Sequence, residues 1–138
     1  MRLILVFLAA LAMSASASAQ QFEPLKPMDM NFPGIDPSVY ADLFGPWELR
    51  DSTGKRRCRI VLKREYMIGG QQIEVAPDCV QKFPIMDEIV AWRLLENWTI
   101  DLVDPLRKTR IRFSTPDDRY VAFPESYGID GLFKPLRR

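Results

Sequence analysis

The sequence predicts an all-β domain of about eight short antiparallel strands, an up-and-down barrel or a sandwich, behind a proline-rich trunk and a short helix. Three observations predict it. From Pro46 onward, apolar residues recur with a period of two. Turn residues break these runs at intervals of roughly 8–14 residues. Nearly every run sets polar residues opposite its apolar ones, which favours one core over two packed sheets. Closing the sheet also removes its edges, so a barrel is the preferred form.

The elements follow in order. Met1-Arg2, the apolar run Leu3 to Met13 and the small residues Ser14 to Ala19 form a charged start, a short hydrophobic region and an A-x-A cleavage site at Ala17-Ser18-Ala19. Residues 1–19 therefore read as a secretory signal peptide, and the mature chain is expected to begin at Gln20. A run of about 11 apolar residues is too short for a bilayer span, so no stable membrane anchor is expected.

Residues 20–44 form the trunk and its helix. Pro24, Pro27, Pro33 and Pro37 fix φ, remove donors and push their predecessors toward extended geometry. The result is a polyproline-like strip with no ladder of its own. Phe22, Leu25, Met28, Met30, Phe32 and Ile35 are too many large side chains for a solvated linker, so the strip must rest on the domain or on a partner. Asp36 can cap a helix, Pro37 suits its first position, and Val39, Tyr40, Leu43 and Phe44 share a face. Gly45 is read as its left-handed stop. So short a helix is expected to cap the domain behind it.

Residues 45–138 form the barrel domain. Trp47 to Asp51 alternates, and Ser52-Thr53-Gly54 turns. Cys58, Ile60 and Leu62 then face away from Arg57, Arg59 and Lys63. Gly69-Gly70 breaks the chain before Gln72 to Val75, and Cys79 to Lys82 is one helical turn ended before Pro84. The segments Glu88 to Leu95, Trp98 to Leu102, Thr109 to Phe113, Arg119 to Phe123 and Leu132 to Leu136 complete the count. Turns fall near Glu96-Asn97 and at Asp104-Pro105.

Composition narrows the chemistry. The 138 residues contain no histidine, which excludes Ser-His-Asp and Cys-His catalysis, HExxH zinc sites and the two-histidine iron site. A net charge of +1 removes the electrostatic case for nucleic acid, and loss of the leader with Arg2 brings it to zero. In an exported chain the two cysteines, Cys58 and Cys79, are expected to pair, closing a loop of about 22 residues worth roughly 3 kcal/mol. Asp117-Asp118 and Asp101 with Asp104 are the nearest approach to paired acids, and both sets read as solvated turn residues. Lys55 to Arg59 reads as a charged exterior, neutralised by Asp51, Glu65 and Glu74. Trp47, Trp92 and Trp98 read as barrel core or rim. No constellation supports catalysis, no cofactor is implied, and the chain carries no metal site of its own.

Gly45-Pro46-Trp47-Glu48-Leu49, Cys58 to Leu62, Cys79-Val80-Gln81-Lys82 and Val90-Ala91-Trp92-Arg93 resemble the bacterial alkaline-protease inhibitor family, which includes an outer-membrane lipoprotein branch. Ile100 to Asp104 and Asp118-Arg119-Tyr120 continue the likeness, which covers about Ser38 to Leu132. The resemblance implies an eight-stranded barrel with a Cys58–Cys79 disulfide. It also implies inhibition of serralysin-type zinc metalloproteases by a trunk that enters the protease cleft. Carried over, the Gln20 amine approaches the enzyme's zinc, Gln21, Phe22, Glu23 and Pro24 meet adjacent pockets, and the barrel is a rigid plug. The expected partner is a secreted metalloprotease, or a protease of another class, met by a monomer in the periplasm or outside the cell. A small-ligand or envelope-interaction barrel is the alternative. Inward-pointing tryptophans and aliphatic residues favour a filled interior and hence the inhibitor.

Overall fold

The computed structural model describes residues 22–136. Its eight strands are β1 (Gly45–Arg50), β2 (Arg57–Met67), β3 (Gly70–Val75), β4 (Ala91–Leu95), β5 (Thr99–Val103), β6 (Thr109–Ser114), β7 (Tyr120–Phe123) and β8 (Gly131–Phe133). They close in sequence order, every neighbour antiparallel, with β8 returning to β1 through Leu132 opposite Leu49. The fold is the up-and-down barrel rather than the sandwich. The expected leader, Gln20 and Gln21 lie outside the described residues. No described helix is long and apolar enough to cross a membrane.

Period-two alternation sends Leu49, Ile60, Leu62, Trp92, Ile100, Leu102, Ile111 and Phe113 inward, and all are essentially fully buried. Eight strands enclose a space that side chains of this size fill. Trp47 and Trp92 belong to this core, and each indole finds an acceptor. Trp47 Nε1 donates to the Leu43 carbonyl at 2.8 Å, and Trp92 Nε1 to the Lys63 carbonyl at 2.9 Å. Trp98 is half-buried at the rim.

Each mouth is closed differently. At the end where β3 leaves and β4 enters, helix α2 (Cys79–Lys82) and a 3-10 turn, Pro84–Glu88, bury Phe83, Ile85 and Met86. The Cys58–Cys79 disulfide, with Cα atoms 5.2 Å apart, ties this cap to β2. At the opposite end Phe32, Leu43 and the helix α1 (Pro37–Tyr40) cover the core. Asp36 caps α1 as expected, its carboxylate accepting from the Ser38 amide at 2.8 Å. Two details of this region differ from the sequence expectation. Val39 is 61% exposed, because α1 ends at Tyr40 and turns carry Leu43 inward instead. Gly45, at φ 128°, opens β1 and forms the corner into the sheet; it does not stop the helix.

The outer face holds the larger corrections. Strand β5 is buried on both sides, so polar-out exposure fails there. Asp101 and Asp104 are not solvated turn residues. Asp101 is 1% exposed and Asp104 7%. Burial raises the Asp104 pKa, but amide donation from Lys108 and Leu106 and the nearby Arg110 guanidinium outweigh it, leaving the group below its ordinary value. Asp117 and Asp118 are exposed as expected. On the charged exterior Asp51 pairs with Arg56, Glu48 lies beside Arg57 and Glu74 pairs with Lys63. The expected neutralisation by Glu74 thus falls on a different cation, and Glu65 makes no ion pair among the described residues.

Candidate functional site

The strip meets the barrel on the two strands that flank β5, β4 and β6. Strands β3 and β4 share only two register pairs, Gln71 with Trp92 and Gln72 with Ala91, so the edge of β4 is open beyond Trp92. Residues Lys26 to Met28 take that edge. Met28 N–H donates to the Leu94 carbonyl at 3.1 Å, and Glu96 N–H to the Lys26 carbonyl at 2.7 Å. Between them Pro27 sits opposite Leu95, where no donor is required of it. The Lys26 amide also donates to the Glu96 carboxylate. The strip therefore has an antiparallel partner after all, borrowed from the barrel.

Upstream, the strip meets a clamp on β6. Arg112 is gripped by Asp101 through two parallel hydrogen bonds, Nε to Oδ1 at 2.8 Å and Nη2 to Oδ2 at 2.9 Å. Thr109 donates to the same carboxylate at 2.7 Å. This fork fixes the guanidinium plane and leaves Nη1 to donate to the Glu23 carbonyl at 2.6 Å. The Phe22 ring lies 5.3 Å from the same guanidinium and packs edge-on against Phe123, with centroids 5.6 Å apart.

Downstream, the strip ends in a plug. Phe32 is 2% exposed, stacked 4.0 Å from Tyr40 and 5.9 Å from Trp98. Arg64 donates to the Met30 carbonyl at 2.7 Å and lies over the Phe32 and Phe44 rings. A hollow of about 280 Å³ opens beside this plug, between Trp47, Trp98, Tyr120 and Lys134. The Lys134 ammonium lies 3.9 Å over the Trp47 ring and donates to the Asp42 carbonyl, and burial lowers its pKa. Burial pushes the Tyr120 phenol up to about 12, while its hydroxyl donates to the Trp98 carbonyl.

Of the residues that sequence singles out, Phe22 is half-buried in the clamp, and Glu23 and Pro24 are exposed beside it. Asp101, Arg112 and Phe123 were missed as a group. The available signal was an acid inside Ile100-Asp101-Leu102, where alternation already aims it outward, with a basic residue on the adjoining strand. Among the described residues no group of three or more acidic or cysteine side chains is placed to hold a metal.

A small antiparallel barrel, filled by its own side chains, stapled by one disulfide and strapped by an N-terminal strip, defines a compact binding scaffold. Residues 38–128 match the family described as protease inhibitor Inh, and the chain belongs to that family. Membership implies a protease inhibitor with a protease as its partner. No curated protein matches the chain. The matched segment begins at Ser38, so the strip and its clamp on Glu23 and Phe22 are read from this chain's own geometry.

Proposed function

We propose that the protein is an exported inhibitor of a serralysin-type zinc metalloprotease, acting by insertion of the N-terminal strip into the active-site cleft. In this reading residues 1–19 are removed, residues 20–44 form the trunk and helix, and residues 45–138 form the barrel that blocks the cleft mouth. The observation that carries it is the strip's geometry. The Arg112 guanidinium holds the strip at the Glu23 carbonyl, and antiparallel backbone hydrogen bonds hold it at Lys26 and Met28, in the manner of a substrate strand, with Glu23 and Pro24 exposed.

The chemistry follows from position. A free amine at Gln20 offers a lone pair to the open coordination position of a catalytic zinc in the target. Gln21, Phe22, Glu23 and Pro24 then occupy the neighbouring subsites. Only two mature residues precede Phe22, so deep entry requires Phe22 and Glu23 to leave Phe123 and Arg112. That release is inexpensive: an aromatic pair is worth roughly 0.5–1.5 kcal/mol, the Phe22–Arg112 cation–π contact roughly 0.5–1 kcal/mol and one charge-assisted hydrogen bond roughly 1.5–3 kcal/mol. A nanomolar complex supplies about 12 kcal/mol. Pro24 and Pro27 stiffen the strip and reduce the entropy lost when it orders in the cleft.

The test is a titration of the mature chain against a serralysin-type protease and a serine protease. Stoichiometric inhibition of the metalloprotease, lost when residues 20–24 are deleted from a barrel that stays folded, supports the reading. Equal inhibition by the deleted chain overturns strip insertion. Inhibition of the serine protease alone overturns the metalloprotease assignment.

A further inference from the structure

We infer that the β2–β3 hairpin tip, Tyr66-Met67-Ile68, together with Leu106 is a second contact surface that grips the rim of the protease cleft. The inference rests on strip insertion and deepens it, by naming what holds the barrel against the enzyme once the strip is in place.

The tip is built unlike a solvated turn. Gly45, the first residue of β1, pairs with Leu62, so β2 runs on for five residues beyond its neighbour. At the end of this projection Tyr66 is 73% exposed, Met67 39% and Ile68 77%. Leu106, 75% exposed, lies in the β5–β6 turn, and that turn adjoins the tip. A Cβ placed on Gly69 would sit 3.5 Å from Arg107 Cγ. Four of the seven most exposed large hydrophobic residues among those described thus gather on two neighbouring turns. Scattered exposed hydrophobics are ordinary, whereas a gathered set marks a contact surface. Between the tip and the strip runs a groove of about 350 Å³, walled by Met28, Met30, Tyr66 and Met67, into which a partner side chain can fit.

Charge specifies the partner's chemistry. Arg107 and Lys108 flank the apolar ridge and form no ion pair among the described residues, while the one carboxylate next to the tip is Glu65. The complementary surface is an apolar hollow edged by carboxylates.

Position connects the ridge to the strip. Arg93, Asp101, Arg112 and Phe123 lie directly opposite one another across β4, β5, β6 and β7, all on the outer face. Arg93 Nε donates to the Gly69 carbonyl, which brings the tip to one end of this row. Phe22 rests on Phe123 at the other end. Three strand spacings of about 4.8 Å separate the two ends along the curved outer surface. An ordinary interface of about 800 Å² per partner is a patch roughly 30 Å across. When residues 20–24 enter the cleft, the Lys26 to Met28 anchor on β4 stays in place, and Met28 walls the same groove as Tyr66 and Met67, so a protease that accepts the strip end lies beside the ridge.

The test compares four full-length mature proteins against a serralysin-type protease: wild type, Met67→Ser/Ile68→Ser, Arg107→Glu/Lys108→Glu, and the chain lacking residues 20–24. All altered side chains are exposed, and unchanged thermal unfolding verifies the fold. The serine pair is expected to raise the inhibition constant at least tenfold through faster dissociation. The charge-reversed pair is expected to slow association and flatten its salt dependence. Unchanged constants for both pairs, while deletion of residues 20–24 abolishes inhibition, overturn the ridge and leave strip insertion standing. Full inhibition by the deleted chain overturns strip insertion itself. If the serine pair inhibits normally but loses binding to anionic lipid vesicles, or loses a concentration-dependent dimer, the ridge serves a membrane or a second copy and the inference fails.

Discussion

The two mouths of the barrel are plugged by the same kind of side chain held in different ways. At one, Phe83 is fully buried beneath α2, and Cys79 at the start of that helix is bonded to β2. At the other, Phe32 is equally buried, but it belongs to the strip and is held by stacking on Tyr40 and Trp98 and by Arg64. One plug is covalently tied and the other rests on weak contacts that can be undone singly. Under the proposed strip insertion, the difference separates the part of the molecule that must stay rigid from the part that must be free to engage a partner.

Cutting each plug gives the largest expected effects. Phe83→Ala and Phe32→Ala should each cost about 3–5 kcal/mol, read as loss of stability in urea unfolding. Only Phe32→Ala should also expose the strip to limited proteolysis. Equal protection of the strip in both variants would remove the distinction between the ends. Reduction of the disulfide comes next, at roughly 3 kcal/mol, with Tm falling by about 10 °C or more. Its effect should be read at the Phe83 end, with the strip still protected.

A pH effect of similar size marks the strip end. Tyr120 donates to the Trp98 carbonyl beside Phe32. Its folded pKa of about 12 lies above the ordinary value of 10.0. Burial penalises the phenolate, so this group leaves folding stability unchanged below pH 10 and lowers it as pH rises from 10 toward 12. Two pKa units correspond to about 3 kcal/mol. Urea unfolding at pH 9 and pH 11 should show the loss beginning in wild type and absent from Tyr120→Phe. The smallest effect is expected at the clamp: Phe22→Ala should lower stability by about 1 kcal/mol while weakening inhibition far more. A stability loss without an effect on inhibition would make Phe22 mere packing.

Much of this division is legible in the sequence. Alternation from Pro46 onward announces the barrel, the cysteine pair announces the staple, and the large side chains among the prolines announce a strip that must lie on something. What stays hidden is what it lies on. Asp101 stands three residues before Asp104-Pro105 and looks like part of a turn, yet it is a buried strand residue held by Arg112 and Thr109, and the strip reaches it only through Arg112. The strip residue involved, Glu23, is 89 positions from Arg112, a separation no local pattern reports. The open edge of β4 is equally invisible, because it arises where β3 parts from it after two register pairs. Val39 misleads for a related reason: its spacing implies a helical face, but α1 stops at Tyr40.

Photocrosslinking from residue 22 tests the central claim most directly, with p-benzoylphenylalanine in place of Phe22. In the free chain the adduct should form within the barrel, at Phe123 or its neighbours. In complex with a serralysin-type protease it should move to the protease, at peptides lining the zinc cleft. An adduct that stays on the barrel in a fully inhibited complex would contradict strip insertion.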